Sequence, residues 1–273
     1  MKKQGPVKLK PVRKTYLWGT EDWMLSWLNE GLKEIPLLIK IIRARDALSV
    51  QVHPQDALAW ELEQGTGKTE MWYVLDCEPG ACLYYGLKHQ ISVNEFRKRI
   101  DNGSLLEVCR SVPVKKGDVF YIPAGLIHAI GKGITVAEVQ QSSNITYRVY
   151  DYNREDANHQ RRELHIEKAL RAASFMPPLA GHHPMGPRIR KIGYSKTLLV
   201  QCPYFVVQLY EIEECMEGAV EDSFQSLLIL EGEGSLRSVC GDLAVGQGDS
   251  ILLPKGMGAY QLIGRLQILI SEV

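Results

Sequence analysis

The stretch Gly117-Asp-Val-Phe-Tyr-Ile-Pro-Ala-Gly-Leu-Ile-His128 decides the fold, because it combines a strand, a sharp bend and a histidine. Strand-forming residues at 119–122 lie between a Gly-Asp turn and Pro123. Proline donates no backbone N–H and glycine tolerates a positive φ, so the segment 123–125 ends the strand and bends the chain. His128 follows the bend directly. The spacing therefore predicts one working histidine carried among short strands.

The same spacing occurs a second time near the end of the chain. Gly248-Asp-Ser-Ile-Leu-Leu-Pro-Lys-Gly-Met-Gly-Ala259 repeats it position for position, with Ala259 in the place of the histidine. Upstream, residues 228–234 resemble residues 73–80, each being a strand that runs into a turn. We interpret this as an internal duplication whose second copy keeps the turns and has lost the ligand.

The first stretch resembles the second sequence motif of the cupins in four positions: Gly117, Pro123, Gly125 and His128. Cupins are small jelly-roll β-barrels that hold a metal in the barrel mouth. Two further segments, Leu48-Ser-Val-Gln-Val-His-Pro-Gln-Asp56 and Gly67-Lys-Thr-Glu-Met-Trp72, narrow the resemblance to the type I mannose-6-phosphate isomerases in their short bacterial form. The resemblance covers the N-terminal two thirds of the chain and implies an all-β fold of two cupin barrels with a few short helices.

The chain divides into three ranges by composition. Residues 1–175 are expected to form the catalytic, metal-binding barrel, and residues 194–273, where short β-rich runs return, a second barrel without a metal site. Residues 176–193 are rich in proline, glycine and histidine and predict a linker. Three helices are predicted. The first covers residues 57–63, the second begins at the capping box that starts at Ser92, and the third covers residues 165–174.

Polar and apolar side chains alternate in Ser49-Val-Gln-Val-His53. A strand would send the three polar side chains to one face and the two valines to the other. A polar face directed inward is unusual for a core strand, and it suits a wet cavity that holds a metal. Lys68 and Glu70 share this period of two, which predicts an ammonium and a carboxylate side by side in that cavity.

The resemblance implies a metal held by four residues: Gln51, His53, Glu70 and His128. Nitrogen and oxygen donors without thiolate suit zinc, and also manganese, iron, cobalt or nickel. We expect one divalent ion, with zinc as the first choice. A neutral amide is a weak ligand, so Gln51 either binds the metal directly or hydrogen-bonds to one of its ligands.

The family interconverts mannose 6-phosphate and fructose 6-phosphate, which implies a metal-dependent aldose–ketose isomerase that works through a cis-enediol. Arg148 matches the family's catalytic arginine, and Lys68 would add positive charge beside the substrate. Lys40 matches a lysine that faces the substrate. Lys40 and Ser49 are the candidates for the phosphate group.

Three groups are candidates for the base that transfers the proton. Glu138 matches a glutamate in the family's active site, and Lys68 in its neutral form or a metal-bound water are rivals. Arg148 also has an ordinary interpretation, as a barrel-wall arginine paired with Glu138 or Asp151.

Two other functions fit a cupin barrel. One is a different cupin metalloenzyme, either another sugar isomerase or epimerase or an iron dioxygenase. The other is a sugar-binding cupin without turnover. The charged segments 67–70 and 138–148 favour a phosphorylated sugar over dioxygen.

The overall charge and the lengths of the apolar runs limit the kinds of partner expected for this protein. Thirty-two basic and thirty-two acidic residues among 273 balance to a net charge of zero, so neither nucleic acid nor an anionic membrane surface is an expected partner. No apolar run approaches the length of a spanning helix, which predicts a cytoplasmic protein. The resemblance implies a phosphorylated hexose as the substrate, and we expect a monomer or homodimer. The six cysteines form no CxxC pair and are expected to be reduced.

Overall fold

The computed structural model describes residues 4–29, 31–32, 34–155, 158–179 and 181–273. Within these residues the strands are β1 (Val7–Leu9), β2 (Val12–Tyr16), β3 (Gly19–Leu25), β4 (Leu37–Ala44), β5 (Val50–Val52), β6 (Glu70–Cys77), β7 (Cys82–Leu87), β8 (Cys109–Pro113), β9 (Val119–Ile122), β10 (His128–Ala129), β11 (Ile134–Gln141), β12 (Tyr147–Tyr150), β13 (Arg188–Lys191), β14 (Tyr194–Gln201), β15 (Val206–Ile212), β16 (Cys215–Val220), β17 (Gln225–Ser238), β18 (Leu243–Gly246), β19 (Ser250–Leu253) and β20 (Gly258–Glu272). The helices in the same ranges are α1 (Asp56–Glu63), α2 (Val93–Asp101) and α3 (Ile166–Ala172). A 3₁₀ turn covers Leu105–Glu107. The predicted all-β class with a few short helices is confirmed.

The chain folds into two compact units that are each discontinuous in sequence. The first unit contains Arg13–Asp22 and Ile41–His182, and the second contains the described residues of Met1–Val12, Trp23–Lys40 and His183–Val273. The predicted ranges were contiguous. The N-terminal segment lies in the second unit because β1 pairs with β19 there. The end of the range predicted as a linker forms β13, which pairs with β14.

Two sheets take most of their residues from the first unit. Their strand orders are β2-β3-β4-β11-β6-β9 and β12-β5-β10-β7-β8. One buried apolar cluster takes side chains from both, including Trp72 and Phe120 of the first sheet and Leu83 and Tyr85 of the second. The two sheets therefore enclose a common interior, as a jelly-roll barrel requires.

A second apolar cluster lies on the opposite face of the β5 sheet. Val50 and Val52 pack there with Phe96 and Ile100 of α2 and with Ala169 of α3. The helices thus cover the outside of the barrel, as expected for α2. Since neighbouring strand residues point to opposite faces, Gln51 is directed into the barrel.

The start of α2 shows why the sequence forms a helix at this point. Ser92 is the N-cap, and its Oγ accepts a hydrogen bond from Glu95 N at 3.1 Å. Phe96 and Ile100, four residues apart, are the buried residues of the helix. The predicted start of the helix at Ser92 and its amphipathic character are confirmed.

The second unit holds a nine-stranded sheet with the main order β1-β19-β17-β20-β15-β14-β13. The long strands β17 and β20 pair over most of their length. Leu227 and Ile229 of β17 and Leu262 of β20 form an apolar cluster with Leu253 of β19. The interior of this unit is therefore a packed core.

The cysteines and the apolar segments were also considered in the sequence. All six cysteines are unpaired, as predicted. Among the described residues, no helix has the length and apolar character that crossing a membrane requires.

Candidate metal centre and active site

Three adjacent strands bring polar side chains into one row. His128 on β10 pairs with Gln51 on β5, and Gln51 pairs in turn with Arg148 on β12. Directly paired residues of antiparallel strands project to the same face of the sheet. The three side chains therefore share the face opposite Val50 and Val52, which agrees with the alternation in the sequence.

Backbone carbonyls orient the two histidines of the site. His53 Nδ1 lies 2.9 Å from Ile145 O, and His128 Nδ1 lies 2.8 Å from Leu126 O. A carbonyl oxygen can only accept, so Nδ1 carries the proton in each ring and Nε2 keeps its lone pair. Metal-binding histidines are held in this way, with the second ring nitrogen bonded to an acceptor. Both rings are buried.

Glu70 on β6 places its carboxylate between the two rings. Its Oε1 lies 3.3 Å from His128 Nε2, and its Oε2 lies 3.6 Å from His53 Nε2. The three buried residues each offer one ligand atom, and these atoms lie within 4.8 Å of one another. Glu70 Oε1 has no hydrogen-bond partner among the described residues, although a buried carboxylate oxygen normally has one. The cluster can hold a metal ion.

Burial sets the charges in this cluster. Burial, assisted by the nearby Lys68 ammonium, lowers the pKa of His53 to about 4, and burial also lowers the pKa of His128. Burial alone would raise the pKa of Glu70, but the charge of Lys68 holds it well below its usual range. At neutral pH the site therefore presents two neutral imidazoles and one carboxylate, the protonation states that bind a metal.

Gln51 and Lys68 border the cluster. Gln51 Nε2 lies 3.4 Å from His128 Nε2, so the amide group reaches the ligand atoms. Lys68 Nζ lies 3.1 Å from His53 Nε2 and donates to Glu70 Oε2. The ammonium and the carboxylate lie side by side, as their two-residue spacing predicted.

Arg148 is partly buried and contacts Ser49. Its Nε donates to Ser49 Oγ at 3.3 Å, and its Nη1 donates to Glu163 O at 2.8 Å. The Asp151 carboxylate accepts hydrogen bonds from two other arginines, Arg154 and Arg162. The alternative interpretation, in which Asp151 is the partner of Arg148, therefore differs from the arrangement found.

Two further predicted site residues, Glu138 and Lys40, have other side-chain contacts. Glu138 on β11 is buried, and its Oε2 accepts a hydrogen bond from Trp72 Nε1 at 2.8 Å. Lys40 belongs to the second unit, where its ammonium lies 5.5 Å from the centroid of the Trp23 ring. The contact of Lys40 with a phosphate group therefore stays a prediction.

Side chains outside the predicted set join the backbone segments that carry the cluster. Gln141 Oε1 accepts from Thr69 N at 2.7 Å, and its Nε2 donates to Asp56 Oδ1 at 3.1 Å. Ser143 Oγ donates to the carbonyl of Thr66 at 2.8 Å. Gln141 and Ser143 thereby fix the segment that carries Lys68 and Glu70. Two adjacent glutamines at the end of β11 were the available sequence signal.

Comparison with known proteins gives a consistent result. A family model described as mannose-6-phosphate isomerase, cupin domain, matches residues 195–273. The mannose-6-phosphate isomerase of Streptococcus mutans is 39% identical over 244 residues, which cover 89% of this chain and 76% of the relative. ManA of Bacillus subtilis, also named mannose-6-phosphate isomerase, is 38% identical over 261 residues, which cover 94% of this chain and 80% of the relative.

A solved structure extends the similarity to the whole fold. The crystal structure of the mannose 6-phosphate isomerase from Bacillus subtilis superimposes with a TM-score of 0.91 and 31% sequence identity. The match covers 99% of this chain and 100% of that one. The strands of both units therefore have counterparts in that enzyme.

Proposed function

The chain belongs to the mannose-6-phosphate isomerases, and from this premise we propose that it interconverts mannose 6-phosphate and fructose 6-phosphate at the cluster of His53, Glu70 and His128. One observation carries the proposal: these three side chains are buried together, their ligand atoms lie within 4.8 Å of one another, and Glu70 Oε1 has no hydrogen-bond partner among the described residues. Family membership favours this reaction over the iron dioxygenase alternative. The non-catalytic alternative is decided by measuring turnover.

The donor atoms of the site fit a divalent metal ion. Two imidazole nitrogens and a carboxylate oxygen suit zinc, and Gln51 is the fourth candidate ligand once its amide oxygen faces the cluster. When bound, such an ion would polarise the sugar oxygens and stabilise negative charge on them. The Lys68 ammonium lies among the same donor atoms, and like charges repel. We infer that Lys68 turns towards the substrate in the loaded enzyme.

The isomerisation moves one proton from carbon 2 to carbon 1 and a second proton from the carbon 2 hydroxyl to the oxygen on carbon 1. A base removes the proton from carbon 2 of the open-chain aldose, and a proton returns to carbon 1 of the resulting cis-enediol. We assign this transfer to Glu138, whose carboxylate is held by the Trp72 indole on the strand beside β11. Lys68 in its neutral form, whose side chain borders the same cluster, and a metal-bound water are the other candidates.

Arg148 and Ser49 would bind the sugar phosphate from the opposite sheet. The guanidinium is a permanent cation, and its position in the row with Gln51 and His128 directs it to sugar oxygens that gain negative charge. Ser49 Oγ is hydrogen-bonded to Arg148 and, with Lys40, is the candidate contact for the phosphate.

A coupled assay tests the proposal. Purified protein loaded with zinc should convert mannose 6-phosphate to fructose 6-phosphate, and glucose 6-phosphate serves as the control substrate. Failure to turn over mannose 6-phosphate with the metal bound would leave the sugar-binding alternative. The cytoplasmic location and the monomeric or homodimeric state stay predictions, which cell fractionation and light scattering would test.

A further inference from the structure

Residues 161–165, called here the return segment, run back beside β12 after the loop that follows it. His165 N donates to Arg148 O at 2.8 Å, and Arg148 N donates to His165 Nδ1 at 3.2 Å. Arg162 anchors the segment at its other end, through Nε and Nη2 on the two carboxylate oxygens of Asp151 at 2.7 and 2.6 Å. The return segment is thus attached to both ends of the backbone that carries Arg148.

The return segment also holds the side chain of Arg148. Arg148 Nη1 donates to Glu163 O at 2.8 Å, while Nε donates to Ser49 Oγ at 3.3 Å. Backbone and guanidinium are therefore fixed from one side by residues 163 and 165. A guanidinium fixed at both its Nε and an Nη atom keeps its direction, which preorganises its charge.

The His165 ring is the part of this contact that depends on side-chain chemistry. Its Nδ1 must keep a lone pair to accept from Arg148 N, so the proton of the neutral ring lies on Nε2. Without that acceptor, a backbone N–H in a partly buried strand would lose its partner. His165 is also the N-cap of α3, which places the ring at a rigid junction between β12 and the helix.

We propose that His165 is a positioning residue for Arg148: it accepts from the Arg148 backbone and, with the Glu163 carbonyl, directs the guanidinium at the sugar phosphate. The inference rests on the proposed function, since it gives His165 a role only through Arg148. His165 contacts Arg148 and is not one of the candidate metal ligands.

A double-mutant cycle separates this role from an ordinary structural one. His165→Ala should lower kcat about tenfold with little change in KM, because the misplaced charge is felt most in the transition state. His165→Asn should recover most of kcat, since Asn Oδ1 is bonded to Cγ as His Nδ1 is and can accept the same hydrogen bond. In the Arg148→Ala background, His165→Ala should change kcat by less than about twofold.

The controls make each outcome decisive. His89→Ala, at an exposed histidine in the first unit, should leave kcat unchanged. Metal content and melting temperature show whether each variant is folded. If His165→Ala does not fold, His165→Leu is used in its place. An equal loss of kcat in the wild-type and Arg148→Ala backgrounds, or no rescue by asparagine, overturns the inference alone. Normal kcat in Arg148→Ala overturns the role of Arg148 and the inference with it.

Discussion

The two units carry the same backbone device and surround it with different side chains. In the first unit Gly117 N donates to Val74 O at 2.9 Å, and in the second Gly248 N donates to Ile229 O at 2.9 Å. The two glycines have φ values of 91° and 87°, a region open to glycine and costly for other residues. The duplication predicted from the sequence spacing is therefore present in the hydrogen bonds of the turns.

The carboxylate of the candidate metal site has an amide as its counterpart. Glu70 pairs with Ile122, and Gln225 pairs with Leu253 at the matching places of the second unit. Gln225 Oε1 accepts a hydrogen bond from Tyr260 OH at 2.9 Å, so the amide is used within the core. A residue that could hold a cation in one unit is replaced by one that joins neutral side chains in the other.

The place of the metal-site histidine has changed more than the sequence count indicates. By count Ala259 corresponds to His128, but Ala259 is exposed and the next residue, Tyr260, enters the apolar core. Among the described residues, the group of His53, Glu70 and His128 is the candidate metal site found. Glycine and proline thus fix the barrel turns, while a few inward side chains decide whether the barrel has a candidate metal site.

Replacing Glu70 with glutamine, the residue at the matching place of the second unit, should have the largest effect. The change removes the charged ligand and leaves the buried Lys68 ammonium without its carboxylate. Turnover should fall about a thousandfold or more, because a bound metal supplies several kcal/mol of charge stabilisation. Steady-state kinetics with metal analysis measures this. Near-normal kcat would mean that the two units do not differ in the way described.

Acidification should destabilise the metal-free first unit through His53. Its pKa is about 4 in the folded chain and about 6.5 when unfolded, so the unfolded chain binds the proton between these values. This stabilisation is present above about pH 6.5 and is lost as the pH falls towards 4, at a cost of about 3 kcal/mol. Urea unfolding near pH 7.5 and near pH 4.5 measures it. An equal pH dependence in His53→Gln would contradict the assignment.

Arg148→Ala should lower kcat by about a hundredfold and raise KM far less, if the guanidinium acts as a preorganised charge. Metal content should stay the same, because arginine is not a ligand. Kinetics over a range of mannose 6-phosphate concentrations separates the two constants. A variant with reduced thermal stability and near-normal kcat would assign Arg148 to the barrel wall instead.

Gln141→Leu should weaken metal binding by about tenfold, since residues behind the ligands commonly contribute that much. The change removes the contacts with Thr69 and Asp56 that fix the Glu70 segment. Gln225→Leu is the matched control in the second unit, expected to lower stability and leave metal affinity unchanged. Competition with a chromogenic chelator measures the affinities. Equal affinities in both variants would show that Gln141 has no part in the site.

The turns and the residues of the candidate metal site were predictable from local sequence. Gly117, Pro123 and Gly125 act through their own backbone, and the alternation of residues 49–53 follows from strand geometry, so neighbouring residues contain the information. The resemblance to a known family supplied the roles of the ligands. Neither source required knowledge of which strands meet.

The missed features all depend on long-range pairing. β1 joins the second unit by pairing Val7 with Leu252, although the two residues are far apart in the chain. His165 reaches Arg148 only because the loop after β12 returns beside it. Tyr260 fills the second core because the turn before β20 places it there. Such contacts are set by tertiary packing, which residue spacing does not encode.

Metal stoichiometry tests the central claim most directly. The account predicts one divalent ion per chain, absent from His128→Ala, with turnover abolished by a chelator and restored by adding zinc. Plasma emission analysis of the wild type and of His128→Ala, paired with the mannose 6-phosphate assay, gives the answer. Full turnover in a demonstrably metal-free preparation, or an ion retained by His128→Ala, would contradict the account.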